Sequence, residues 1–403
     1  MPETIWSTPV TADLRPAYYD DFHCLAAGCR QSCCVGWNIT FNKKDYLSLK
    51  RQEGSPELNS RMQDGLRRIR GERVSQYTYG EFTMEDSTCA LLREDCLCQL
   101  QMEKGPEALP AVCQEFPRKN VVALSGFREY SLTPACEGVL ELLWNLPDGV
   151  EFRSDPLKQA LRVNYHRDNR LAIAFQSIRS QCIDFLQDRR FSLPERILLM
   201  GMSLKELADG ETDLPAWLAR SQALPEETQP GSLLEENEQA LPLVIVNNTH
   251  TLSQMGSANR DFTALRAEIL GQLTQMGETR ARLRTNPYRK ARERYEACFA
   301  GREYFMENLL VAVFFHLQLP VTTSPEDLWK SYVNFCNLYS FYRFMAVMSC
   351  REGTEGSKDD LFRNIVHASR GMLHNSQNQT ALRDEYFRND SATLAHMAIL
   401  LGG

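Results

Sequence analysis

The sequence predicts a mainly α protein in which an irregular, cysteine-rich metal or iron–sulfur cap packs on a larger helical domain. Three observations lead there. Nine of the 13 cysteines precede residue 137. From that point apolar residues recur at spacings of three and four, the period of helices buried along one face. The front segment is short of apolar residues, so its folding is expected to depend on what its thiols hold. The division is 1–136 for the cysteine-rich cluster-binding region and 137–403 for the helical domain, with an acidic linker or loop near 206–238.

Taken in order, residues 1–20 read as an extended lead-in carrying Pro9 and Pro16. Asn42 is a suitable N-cap for a helix from about 43 to 52, and another helix follows Pro56. "YTYGEFTM" alternates enough for a strand or hairpin arm turning at Gly80. "CLCQLQMEKGPEAL" and "ALPAVCQEFPRK" suggest short helices broken at Gly105 and Pro110, which leaves most front thiols on loops and helix ends. "ACEGVLELLWNL", "PLKQALRVNYHRDNRLAIAFQSIRSQCIDFLQDRR" and "SLPERILLMGMSLKELA" then follow the helical period. "ALPLVIVNN" is the sole strong candidate for an isolated strand, with a buried helix turn as the alternative. Helices resume at 258–280, 285–317, 324–350, 357–373 and 391–401. There is no internal repeat and no heptad run.

Composition limits the function classes. The 403 residues are 43% hydrophobic and 24% charged, ordinary for a soluble globular chain long enough for a large core. A net charge of -7 argues against a large nucleic-acid footprint. The basic run Arg284 to Glu296 mixes in acids at helical spacing and reads as a solvated face. The N-terminal stretch has no basic segment leading into an apolar one, as a signal peptide would. "LLVAVFFHLQLP" and "FMAVMSC" are too short and interrupted to cross a bilayer. The expectation is a cytoplasmic protein without membrane insertion.

"CLAAGCRQSCC" places four cysteines in eleven residues. A disulfide framework needs an oxidising compartment, which nothing in the sequence indicates, so metal binding is the stronger reading. The spacings C-x4-C-x3-C-C, C-x6-C-x-C, C-x14-C and C-x22-C match neither a zinc ribbon nor a ferredoxin run. The ligand candidates are Cys24, Cys29, Cys33, Cys34, Cys89, Cys98, Cys113 and Cys136. A 4Fe-4S cluster is the first expectation and zinc the second; one site or two remain open. Cys182, Cys298, Cys336 and Cys350 lie in helical sequence and read as small buried hydrophobes.

These segments resemble the flagellin lysine-N-methylase (FliB-type) family, whose cysteine-rich segment is related to small zinc- or iron-chelating domains. In "FHCLAAGCRQSCCVGWNITFNKKDYLSL" the matching positions are Phe22, Cys24, Cys33, Cys34, Trp37, Ile39 and Tyr46. Cys89 with Leu92 matches a Cys-Pro-Phe-Leu element, Cys98 a Leu-Cys-x-Ile element, and Cys113 with Phe116-Pro117-Arg118 a Cys-x-x-Tyr-Pro-Arg element. Cys136 falls at a Cys-Pro-Glu position. "YFMENLLVAVFFHLQLP" resembles a Glu-Asn-Tyr segment and "ASRGMLHN" a Ser-Arg-x-x-x-His-Asn segment. Ala90-Leu91, Phe116 and Leu309 depart from the family residues, whereas the cysteines are kept. The resemblance implies S-adenosylmethionine-dependent N-methylation of lysines on flagellin, or a similar lysine-bearing protein, by a chain carrying an iron–sulfur cluster.

The residues themselves add little about the cofactor. No G-x-G-x-x-G follows a strand, and the C-x3-C-x2-C radical signature is absent, although Cys29 and Cys33 have its first spacing. Glu307 and Arg118 are the catalytic candidates. A carboxylate inside an apolar helix must be paired or solvated, and Arg118 can pair with a cluster sulfide or a carboxylate. Trp37, Asn308 and His374 are the cofactor-side candidates, with Arg370 one helical turn before His374. Tyr77, Tyr79, Tyr304 and Tyr342 are candidates to line a lysine channel. If chemistry occurs, it is expected between cap and helical body. The competing reading is a non-catalytic iron–sulfur or zinc-stabilised adaptor.

Overall fold

The computed structural model describes residues 6–71, 74–122, 126–165, 171, 174–234, 240–255, 259–276, 281–373 and 384–402. The chain is mainly helical, but a four-stranded sheet lies where cap and body meet. Its strands are β1 (Trp6–Pro16), β7 (Arg118–Val122), β8 (Phe127–Leu132) and β9 (Phe152–Tyr165), in the order β7-β8-β1-β9. β1 pairs parallel to β8 and antiparallel to β9, with an irregularity between Val10 and Ala12. The lead-in is therefore a central strand. Residues 156–165, expected to be helical, belong to the long strand β9. Pairing along most of β1 outweighs their local apolar spacing.

Between β1 and β7 lies the cysteine-rich lobe. It contains β2 (Thr40–Phe41), α1 (Lys43–Leu49), α2 (Pro56–Gly65), β3 (Leu66–Arg68), β4 (Gly80–Phe82), β5 (Met84–Glu85), β6 (Thr88–Cys89), α3 (Gln99–Lys104) and α4 (Ala111–Glu115). Asn42 Oδ1 accepts from Asp45 N at 2.9 Å, and Ser55 Oγ accepts from Leu58 N at 3.1 Å, capping α1 and α2. The strands pair β2-β4-β3, with β5 and β6 a separate hairpin. Ile39, Phe41, Leu49, Leu58, Phe82, Leu91 and Leu100 pack into a small core of the lobe's own.

The larger core starts with Tyr18 and Phe22, takes in Leu132 of β8, and runs through the helical body. That body comprises α5 (Glu137–Trp144), α6 (Phe175–Gln187), α7 (Leu193–Ala208), α8 (Leu214–Glu227), α9 (Leu241–Gln254), α10 (Arg260–Leu273), the hairpin β10 (Thr274–Met276) and β11 (Ala281–Leu283), α11 (Asn286–Cys298), α12 (Tyr304–His316), α13 (Pro325–Val347), α14 (Lys358–Leu373) and α15 (Leu394–Leu401). α12 and α13 are buried nearly all round, as central helices must be to be apolar on every side. A Cβ on Gly201 would meet the Tyr332 ring at 2.1 Å, so glycine sets how closely α7 approaches α13.

Three further expectations need correction. "ALPLVIVNN" opens helix α9 rather than a strand: Leu241, Val244, Ile245, Asn248 and Leu252 share its buried face. The acidic stretch 206–238 is not a simple loop. It holds the end of α7 and all of α8, in which Asp213 caps the start and Trp217 is buried. The single helix expected over 285–317 is two, parted at Gly301 with φ +75°.

Candidate functional site

The front thiols gather where the cysteine-rich lobe meets α5 and α14. Cys34 and Cys89 are brought together by the Cys89 N to Cys34 O hydrogen bond at 2.9 Å, Cys98 caps α3, and Cys113 sits on α4. Cys33, Cys34, Cys89, Cys98 and Cys113 lie within electrostatic reach of one another. Cys24, Cys29 and Cys136 form a neighbouring set that meets the first at Cys33. Cys96, outside the candidate ligand set, is exposed.

Two charged residues not singled out as ligands organise this region. Glu137, the first residue of α5, is buried and accepts from Arg30 N at 2.7 Å, Gln31 N at 2.9 Å and the Cys29 thiol at 3.6 Å. It therefore fixes the Cys29–Cys33 loop on the helix start. Arg370 of α14 donates to Gln31 O at 2.6 Å, Ala135 O at 3.3 Å and Val35 O at 3.4 Å. One guanidinium thus straps two thiol-bearing segments, the Cys29–Cys34 loop and the one before Cys136, to the C-terminal half. Glu137 could have been suspected from its place beside Cys136 at a helix start, and Arg370 from its place in "ASRGMLHN".

Burial holds most of these thiols in the neutral form. Burial pushes the Cys89 thiol up to about 12 and Cys136 to about 11, and raises Cys98 and Cys113 too. Helix-start N–H groups partly offset burial, Gln101 and Leu100 at Cys98 and Val139 and Gly138 at Cys136. The Cys34 thiol donates to Cys33 and draws it down to about 7 against burial, with help from Arg370; the same contact drives Cys34 up. A soft metal supplies the charge that deprotonates such thiols. Donor chemistry thus fits zinc or an iron–sulfur cluster. As placed, however, no three His, Cys, Asp or Glu side chains among the described residues form a ready metal-holding group.

Trp37 and Arg118 both lie on the thiol side. Trp37 Nε1 donates to Cys33 O at 2.6 Å, and its ring lies 6.1 Å from that of Phe116. Arg118 donates to Phe22 O at 3.3 Å and stacks on the Phe22 ring at 4.9 Å. Glu307 and Asn308 lie elsewhere, near the C-terminal end of α5. Asn308 Nδ2 donates to Leu143 O at 3.0 Å and Leu146 O at 2.8 Å, tying α12 to that end. His374 lies outside the described residues. The four tyrosines form no common channel: Tyr77 is exposed, Tyr79 packs on Tyr46, and buried Tyr342 meets Ser369. Tyr304 lines a cavity.

That cavity, of about 420 Å³, opens between the starts of α7 and α12 and the helices α11 and α13. Glu307 forms part of its wall, with both oxygens engaged by guanidinium groups. Arg189 Nη2 donates to Oε1 at 2.9 Å and Arg189 Nε to Oε2 at 3.0 Å, and Arg196 Nη1 donates to Oε2 at 2.6 Å. Beside it Gly149 is left-handed (φ +97°), and a Cβ there would come within 3.0 Å of Gln187 Oε1, which accepts from Val150 N at 2.8 Å. On the opposite wall Arg343 donates to the Tyr339 hydroxyl at 3.1 Å. Tyr304 donates to Trp144 O at 2.9 Å, linking the cavity to the end of α5 whose first turn carries Cys136. An eight-residue helix spans about 12 Å, which sets the scale between cavity and thiols.

The FliB lysine N-methylase C-terminal domain matches residues 179–400, over half of the chain and including α12, α13 and α14. The chain belongs to the FliB lysine N-methylase family. The flagellar biosynthetic protein FliU of Salmonella muenchen is 30% identical over 168 residues, covering 40% of this chain and 95% of FliU. The lysine-N-methylase of Salmonella choleraesuis (strain SC-B67) is 31% identical over 140 residues, 34% of this chain and 33% of that protein. The Salmonella typhimurium (strain LT2) lysine-N-methylase has the same identity and coverage. The match therefore spans about a third of the curated lysine-N-methylases. No solved structure matches the chain. No helix among the described residues is long and apolar enough to cross a membrane.

Proposed function

We propose that this chain transfers the methyl group of S-adenosylmethionine to lysine ε-amines of a protein, that flagellin is that protein, and that the reaction takes place in the cytoplasm. The observation that carries the reading is the family match across residues 179–400, supported by relatives named lysine-N-methylase and flagellar biosynthetic protein. The ammonium must first give a proton to water, which an apolar approach favours by disfavouring the charged form. The amine lone pair then forms the N–C bond as the methyl–sulfur bond breaks, the sulfur keeps the electron pair, and S-adenosylhomocysteine leaves. As it is placed, Glu307 has both oxygens filled by Arg189 and Arg196, so its role in this proposal is to position those arginines.

The thiol nest would hold a 4Fe-4S cluster, with zinc the second choice. Cys34, Cys89, Cys98 and Cys113, carried by four separate segments, would supply its ligands, and Arg370 and Glu137 would hold the surrounding loops. A bound metal would supply the charge that keeps these sulfurs as thiolates and would brace the cysteine-rich lobe. The test uses protein purified without oxygen, analysed for iron, sulfide and zinc, then incubated with S-adenosylmethionine and flagellin. Flagellin-dependent release of S-adenosylhomocysteine from iron- and sulfide-containing protein is expected. Metal-replete protein that releases none overturns the enzymatic reading, and zinc without sulfide overturns the cluster.

A further inference from the structure

We propose that the cavity beside Glu307 is the methyl-donor pocket and that Arg343 receives the carboxylate at the amino-acid end of S-adenosylmethionine. The inference rests on the methyl-donor reading above and gives that donor a place in the chain. It begins from an imbalance of charge. Arg189, Arg196 and Arg343 line the cavity, and Glu307 is committed to the first two. Arg343 reaches the Tyr339 hydroxyl, and among the described residues no carboxylate pairs with it. Tyr288 and Tyr295 are its other near neighbours. A guanidinium half-buried among phenol rings is costly without a counter-charge, and a ligand carboxylate supplies one through two parallel hydrogen bonds.

The rest of the wall narrows the ligand. About 420 Å³ is the size of a small-molecule site. Tyr295, Tyr304 and Tyr339 line it with phenol rings, Leu193 and Met306 add apolar surface, and Glu303 is exposed at its edge. A simple phosphate or dicarboxylate would satisfy Arg343 but make no use of the tyrosines and would meet repulsion at Glu303. S-adenosylmethionine uses each feature: its carboxylate at Arg343, its ammonium toward Glu303, its sulfonium against phenol rings, and its adenine on the apolar wall. A lysine side chain within a protein brings no carboxylate, so it would be the second reactant to arrive.

The test measures binding rather than turnover. Metal-replete protein is titrated calorimetrically with S-adenosylhomocysteine, which keeps the amino-acid end, and with adenosine, which lacks it. Arg343→Gln should weaken S-adenosylhomocysteine at least about tenfold, the scale of a lost charged hydrogen bond, while adenosine binds as to the parent. Arg343→Lys should recover part of the loss. If Arg343→Gln does not fold, Glu303→Gln at the exposed edge serves instead and should also weaken S-adenosylhomocysteine selectively. Parent-like affinity in whichever variant folds overturns this pocket while leaving the methylation reading standing. A parent protein that binds neither ligand yet methylates flagellin also overturns the pocket. Neither binding nor methylation overturns the donor reading itself.

Discussion

Glu307 shows how a residue's partners decide its part. In sequence it is a carboxylate stranded in an apolar helix, which suggests a base; in the fold it holds two guanidinium groups. Arg196 is nearly buried with it, so Glu307→Gln leaves buried positive charge unbalanced and should lower unfolding free energy by about 3 kcal/mol. Urea unfolding measures this, and a loss below about 1 kcal/mol contradicts the pairing. His367 gives a pH test. Burial, aided by Arg370 and Arg363, lowers its pKa to about 3, and its Nε2 has no hydrogen-bond partner among the described residues. The unfolded imidazole titrates near 6.5, so below that pH the unfolded chain binds a proton that the fold refuses. Stability should therefore fall on acidification, by roughly 2 kcal/mol between pH 6.5 and 5. His367→Asn should flatten that part of the profile, and an unchanged slope contradicts the assignment.

At the scale of elements, legibility followed whether local pattern and tertiary contacts agree. α13 and α14 were readable because apolar residues recur at helical spacing along both. β9 was not, because its pairing with β1 is a long-range contact that no local spacing reports. α9 was misread because a β-branched run resembles a strand, whereas Asn248 and Ser340 join across a helix interface at 2.9 Å. The thiol region was legible as chemistry, since cysteine crowding is a sequence property. The cavity was not, because Arg189, Arg196, Tyr295, Glu307 and Arg343 are far apart in the chain. The link between these two regions is α5, fixed at its last turn by Asn308. Asn308→Leu removes both hydrogen bonds, taking the side-chain donor from Leu143 O while Leu146 O keeps Gly149 N at 3.3 Å, so a stability loss of about 2 kcal/mol is expected by thermal unfolding. A parent-like melting temperature would show that the clamp is dispensable.

Across the whole molecule, two unequal cores meet at the thiols. The large one runs through the helical body, while the cysteine-rich lobe has only a few buried apolar side chains of its own. If metal braces that lobe, chelation should open residues 24–113 to proteolysis before the helical body, and mass spectrometry of early fragments reports the order. Simultaneous cleavage of both parts would contradict a local brace. The measurement closest to the central claim is peptide mass spectrometry of flagellin co-expressed with this chain and with an empty control. The account predicts lysine peptides heavier by one CH2 per transferred methyl, present with the chain and absent from the control. Flagellin whose lysines stay unmodified beside folded, metal-replete protein would contradict it.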